Sequence, residues 1–156
     1  LLMDHDSRDE ENSRRLVNLF GDFGLAHRVD IVTADTSFAL FQDADVCLMP
    51  LQSMRPDIVC DALWAGAPVI SYAGSGIHSR LDGGILHHLG LGNEMVAETP
   101  EDYVAKALDW AGDLDRRRHF AAGIRGSMKE KSFFNPAKRA ADLEKVYESL
   151  WKKACK

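Results

Sequence analysis

Residues 44–72 read ADVCLMPLQSMRPDIVCDALWAGAPVISY. Residues 45–49 alternate and then end in an apolar run, the pattern of a strand buried in a sheet. Residues 50–55 form a loop, and Pro56 suits the first position of a helix, where its missing N–H costs nothing. Ile58, Leu63 and Trp64 recur at helical spacing, Gly66 stops the helix, and residues 68–72 read as the next strand. A loop that leaves the C-terminal end of a strand and opens a helix is where open α/β sheets bind ligands.

The flanking sequence extends the same alternation. Residues 1–4 read as the end of a strand. Ser7 is an N-cap candidate followed by acids, and Leu16, Leu19, Phe20 and Phe23 form one apolar face before Gly24 ends the helix. Residues 28–33 are a short strand, and Thr36 or Ser37 caps a brief helix through Phe41. Beyond Tyr72, AGSGIHSRLDGG (residues 73–84) reads as a glycine-rich loop. ILHHLGLG follows as a helical turn or two, and residues 93–97 as a short strand. Thr99-Pro100-Glu101-Asp102 is a helix start, with a cap, a proline at the first position and acids in the first turn. Tyr103, Ala107, Leu108 and Ala111 carry the apolar face of that helix, and Trp64 and Trp110 read as core residues. Residues 114–131 form a helix bearing the basic run 116–118. Asn135 and Pro136 open a last amphipathic helix with Leu143, Val146, Tyr147, Leu150 and Trp151. Strands alternating with helices predict an α/β fold, a doubly wound parallel sheet of about five strands with a C-terminal helical finish.

The chain has 156 residues, enough for one domain with a sizeable core. Apolar residues make up 46% and charged residues 28%, an ordinary soluble mix. A formal net charge of −5 argues against a nucleic-acid partner, because phosphate backbones reward a basic surface. No apolar run approaches the roughly 20 residues that cross a bilayer, so no membrane association is expected. The first residues carry no basic stretch followed by an apolar one, and they begin inside a strand-like run. A domain cut from a longer protein is the expectation. Cys47, Cys60 and Cys155 lack CxxC spacing, and two of them fall on core positions. Reduced thiols in a cytoplasmic protein follow. Asp4, His5 and Asp6 raise the alternative of a phospho-receiver domain, which needs an acid directly at the end of its third strand. Asp45 precedes the apolar run and Pro50 follows it, so that reading fails.

From Asp61 to Ala97 the sequence resembles the C-terminal catalytic lobe of the O-GlcNAc transferase-like glycosyltransferases. The likeness rests on Asp61-Ala62-Leu63-Trp64-Ala65-Gly66 before a strand, Ser79-Arg80 in the next loop, Leu89-Gly90, and the apolar residues 95–97. Residues 44–48, the Thr-Pro-Glu-Asp-Tyr start at 99–103, Phe134-Asn135, and Leu143-Glu144 with Tyr147 extend it over most of the chain from about residue 25. His78 followed by Leu81-Asp82 is similar to the bacterial protein N-glucosyltransferases. The resemblance implies a Rossmann-like lobe, the C-terminal half of a GT-B arrangement, spanning residues 1–156. It implies a nucleotide-sugar donor, UDP-linked, an acceptor protein, an N-terminal lobe of the same chain as partner, and metal-independent transfer with no cofactor. An interaction module that keeps the fold without catalysis, and a nucleotide-sugar epimerase lobe, are the alternatives.

The resemblance assigns the residues as follows. Asp61 matches the acid that accepts hydrogen bonds from the donor ribose, a task suited to two carboxylate oxygens facing two vicinal hydroxyls. The alternative is a solvated helix acid. Arg55 and Asp57 stand at the helix N-terminus, where free N–H groups and the helix dipole favour a diphosphate. The family carries His-Thr-Thr there, or Asn in the bacterial enzymes, where this chain has Pro56-Asp57-Ile58. Asp57 reads first as an ordinary first-turn acid and only second as a donor ligand, and Arg55 reads equally as a compensating charge for a phosphate and as a surface arginine. His78, Ser79 and Arg80 lie on the glycine-rich loop, where Gly74 and Gly76 permit close backbone approach to a ligand. His87 and His88 lack metal-ligand spacing. No general base is assigned.

Overall fold

The structure, a computed structural model, describes residues 2–3, 10–32, 38–51, 55–131 and 134–155. It divides into two units, Leu1–Ser37 and Phe38–Lys156. In the first, β1 (Leu2–Met3) and β2 (Ile31–Val32) pair in parallel, with Leu2 opposite Ile31. Between them run α1 (Glu10–Asp22) and a three-ten turn at Ala26–Arg28. Glu10 and Glu11 favour the positive end of the α1 dipole. Gly24, at φ +70°, turns the chain back so that Leu25 N–H reaches the Phe20 carbonyl at 2.8 Å. No residue of α1 is fully buried: on the expected apolar face Leu16 and Phe20 are half-buried, while Leu19 and Phe23 are exposed. Ser7 and the Asp4-His5-Asp6 run lie outside the described residues.

The second unit contains α2 (Phe38–Gln42), β3 (Cys47–Leu48), α3 (Pro56–Ala65), β4 (Val69–Tyr72), α4 (His78–Leu89), α5 (Gly92–Met95) and β5 (Val96–Ala97). It ends with α6 (Pro100–Gly112), α7 (Leu114–Glu130) and α8 (Pro136–Ala154). The sheet has the order β3-β4-β5 and is parallel throughout, with Cys47 opposite Val69 and Tyr72 opposite Ala97. Side chains alternate between the faces of a strand, yet Val69, Ile70 and Ser71 are all buried, so both faces of β4 are covered. α3 and α4 pack on each other, and α6 lies on β4 and β5. The core is formed by Val59 and Leu63 of α3, Ile85 and Leu86 of α4, Met95 and Val96, Trp110 of α6, and Ile124 and Met128 of α7.

Gly66 closes α3 at φ +106°, its N–H shared between the carbonyls of Ala62 and Leu63. A Cβ there would lie 3.0 Å from Ala121 Cβ, so glycine serves both the left-handed turn and the close approach of α7.

Several expectations need correction. Among the described residues the five strands form two parallel sheets, of two and of three strands, rather than one hydrogen-bonded sheet. Gly83 and Gly84 lie inside α4, not in a loop. Gly83 faces β5, where a Cβ would meet Val96 at 3.4 Å, and that packing outweighs the weak helix propensity of glycine. Residues 93–95 belong to a short helix before β5. In α6 the buried face runs through Tyr103 and Trp110, while Leu108 is exposed. Trp64 is 38% exposed, with Lys129 Nζ 5.6 Å from its ring centroid, so it is not a core residue. Trp110 is buried as expected, edge-on to Phe120 and beneath the Arg116 guanidinium. The apolar side chains of α8, from Leu143 to Trp151, are exposed. No helix among the described residues is long and apolar enough to cross a membrane.

Candidate functional site

The loops at the carboxyl edge of the three-stranded sheet open α3 and α4, and every candidate residue lies on one of these two helices or at its N-cap. The chain leaves β3 at Met49, whose N–H donates to the Ile70 carbonyl at 2.9 Å. Arg55 is the N-cap residue of α3 and Pro56 its first helical residue. The Arg55 side chain caps nothing. Its Nε donates to Asp57 Oδ1 at 3.1 Å and its Nη2 to Oδ2 at 2.9 Å, a two-pronged ion pair. That contact is the main cause holding the Asp57 carboxyl below its ordinary pKa and raising that of Arg55. The backbone N–H groups of Ile58 and of Asp57 itself lower Asp57 further. The carboxylate therefore occupies the place at the helix end where an external anion would be held.

Asp61 lies one turn beyond Asp57, exposed, on the same face of α3. Both acids, after burial, push the Cys60 thiol upward. The structure thus brings Arg55, Asp57 and Asp61 together on one face. His78, Ser79 and Arg80 are placed on the first turn of α4, not on the preceding loop. Because β3 and β4 are parallel, that turn opens at the same edge of the sheet. Arg80 Nε donates to the Gly74 carbonyl at 3.2 Å, bracing the 74–77 turn.

Three further residues are given no site role by the sequence pattern. Asp82 is buried inside α4, and its charge, after burial, pushes the Cys47 thiol up to about 11. All three cysteines are free, and Cys47 is held protonated near neutral pH. Arg117 donates to the Trp110 carbonyl at 2.8 Å, capping α6, and pairs with Asp45 at 3.3 Å. The Tyr103 hydroxyl donates to the Met49 carbonyl at 2.7 Å. Its signal was its position, one turn into a helix that starts at the same sheet edge. Among the described residues no group of three or more His, Cys, Asp or Glu side chains is placed to hold a metal ion.

Fold and site define an α/β lobe with its polar side chains gathered at the carboxyl edge of a parallel sheet. Within that class the chain belongs to glycosyl transferase family 41, whose sequence profile matches residues 35–143. A relative in Arabidopsis thaliana, a probable UDP-N-acetylglucosamine–peptide N-acetylglucosaminyltransferase SPINDLY, is 33% identical over 98 residues, which is 62% of this chain and 10% of that protein. The Petunia hybrida SPINDLY is 24% identical over 148 residues, 91% of this chain and 16% of its own length. A solved mutant O-GlcNAc transferase from Thermobaculum terrenum superposes with a TM-score of 0.83 at 26% identity, covering 99% of this chain and 30% of that one. The chain spans about a tenth of the length of the first of these curated relatives.

Proposed function

We propose that residues 1–156 form the donor-binding lobe, Rossmann-like and one half of a GT-B enzyme, of a cytoplasmic glycosyltransferase. It transfers a sugar from a nucleotide-sugar, UDP-linked, to side chains of an acceptor protein held between this lobe and an N-terminal lobe of the same chain, with no cofactor. The observation that carries this reading is the shared face of α3, Arg55, Asp57 and Asp61 at the carboxyl edge of the sheet, in a chain of family 41.

In this reading Asp61 accepts hydrogen bonds from the ribose. The α3 N-terminus and the Arg55 fork stabilise the leaving diphosphate, since dipole and guanidinium are aimed where negative charge develops. His78, Ser79 and Arg80 belong to the donor site in this reading by their place on the first turn of α4, at the same edge of the sheet. A second reading, a module that keeps the fold without catalysis, is favoured by the Arg55–Asp57 pair, which fills the anion position with the chain's own carboxylate.

Titration of the full-length protein with UDP and GDP separates the two. The expected result is UDP binding that weakens at least about tenfold in Asp61→Ala, the scale of lost hydrogen bonds to a charged acceptor. An intact fold that binds neither nucleotide overturns the enzyme reading.

A further inference from the structure

The Thr-Pro-Glu-Asp-Tyr segment that opens α6 has no part in the site as described, yet it is built to hold one side chain in place. Thr99 is the N-cap, its hydroxyl accepting the Asp102 N–H at 3.1 Å, and Pro100 stands at the first helical position. The Asp102 carboxylate accepts the Glu98 N–H at 3.2 Å and pairs with Lys106 at 2.7 Å. Immediately upstream, the Ala97 carbonyl accepts the Ala73 N–H at 2.7 Å, tying the end of β5 to the end of β4. The first turn of α6 is therefore capped within itself and follows directly on a strand end tied to β4.

Tyr103 projects from that turn. α6 lies on β4 and β5, but the Tyr103 hydroxyl reaches the farther strand, β3, and donates to the Met49 carbonyl. Burial, with a smaller push from Cys47, raises its pKa to about 12, so it stays a donor at neutral pH. Met49 is buried and is held at both of its backbone groups, N–H to Ile70 and C=O to Tyr103. Pro50 follows. A residue before proline is confined to extended conformations, and proline fixes its own φ. Three successive constraints thus set the direction in which the chain leaves β3, and Arg55 follows within six residues.

We propose that Tyr103 is a positioning residue for the donor site, its hold on the Met49 carbonyl fixing where Arg55 and the first turn of α3 stand. The proposal rests on the donor-site reading of α3 and adds a residue outside the family motifs assigned to the donor. Tyr103→Phe keeps the ring and its packing and removes only the hydroxyl.

The test compares the full-length protein with Tyr103→Phe by amide hydrogen exchange and by UDP titration. Ile124→Val, in the core on α7, serves as a variant of similar small instability. The expected result is exchange faster by about tenfold in residues 49–51 and 59–62 only, with a UDP dissociation constant raised about three- to tenfold. Ile124→Val should change neither. Unchanged exchange in those residues overturns the proposal. So does a rise spread equally through α7, or faster local exchange with unaltered UDP affinity. If the unmodified protein binds no UDP, the donor-site reading falls on its own, and the exchange comparison still decides whether Tyr103 fixes the start of α3.

Discussion

Replacing Asp57 by Asn moves stability and ligand affinity in opposite directions, and the signs together test the site. In the folded chain the carboxylate is paired with Arg55, the two side chains being 60% and 35% exposed. An ion pair so open to solvent contributes about 0–1 kcal/mol. Loss of a first-turn acid removes a further ~0.3–1 kcal/mol of dipole stabilisation. Asp57→Asn is therefore expected to lower stability by about 1 kcal/mol. For a diphosphate at the same helix end the change is favourable. A unit charge about 5 Å away interacts with each phosphate charge by about 1 kcal/mol in a water-like dielectric, so two charges give about 2 kcal/mol at low salt. Screening at physiological ionic strength reduces this to about 1 kcal/mol. UDP affinity should rise about fivefold at 0.15 M salt and about thirtyfold at low salt. Calorimetric titration at two salt concentrations, beside a thermal melt, reads both quantities. If the melt falls as expected while UDP affinity is unchanged or weaker, the diphosphate does not sit at the start of α3.

Two further outcomes follow from the packing and the titrating groups. Gly66→Ala forces a Cβ onto a φ of +106° and to within 3.0 Å of Ala121. The cost is about 2–4 kcal/mol from left-handed strain and overpacking, read as a melting-temperature fall of roughly 5–15 °C. Cys47 and Tyr103 have folded pKa values of about 11 and about 12 against ordinary values of 9.0 and 10.0. Raised pKa values stabilise fully below the unfolded values and lose that contribution as pH climbs through the folded ones. The unfolding free energy should be flat from neutral pH to 9 and fall between 9 and 12, by about 1–3 kcal/mol per group, read from denaturant melts at each pH. Cys47→Ala should remove the lower part of that fall.

The sequence pattern located what depends on local chemistry. Thr99 and Asn135 cap their helices through side-chain oxygens, as their position before proline and acid or polar residues requires. Gly66 ends α3 because only glycine fits its left-handed turn. What went unread depends on partners distant in sequence. Gly83-Gly84 looks like a loop until Val96 is known to lie against it. Trp64 has the composition of a core residue, yet α3 turns its other side inward, with Val59, Ala62 and Leu63 buried. In the site, Asp61 stands out through the family resemblance, and Arg55 and Asp57 through their place at the open end of a strand–loop–helix unit. The 54-residue separation between Tyr103 and Met49 left no trace in periodicity.

The Arg55–Asp57 pair changes what the Pro56-Asp57-Ile58 run means. Taken from sequence, Asp57 adds a negative charge where an anion is wanted, and the conflict is one of repulsion. In the fold the guanidinium at 2.9 and 3.1 Å offsets part of that charge, and on the donor-site reading the carboxylate holds the arginine that a phosphate would use. The conflict is then one of occupancy as well as of repulsion. An arginine fork serves carboxylate and phosphate equally well, so a diphosphate can replace Asp57 on Arg55 without any new cation. Asp57, already more than half exposed, then returns to solvent at little cost. Under this reading donor affinity is lowered by a competition inside the site rather than abolished. The competing group is a single carboxylate whose removal should tighten binding, which is the opposite of what removing Asp61 should do.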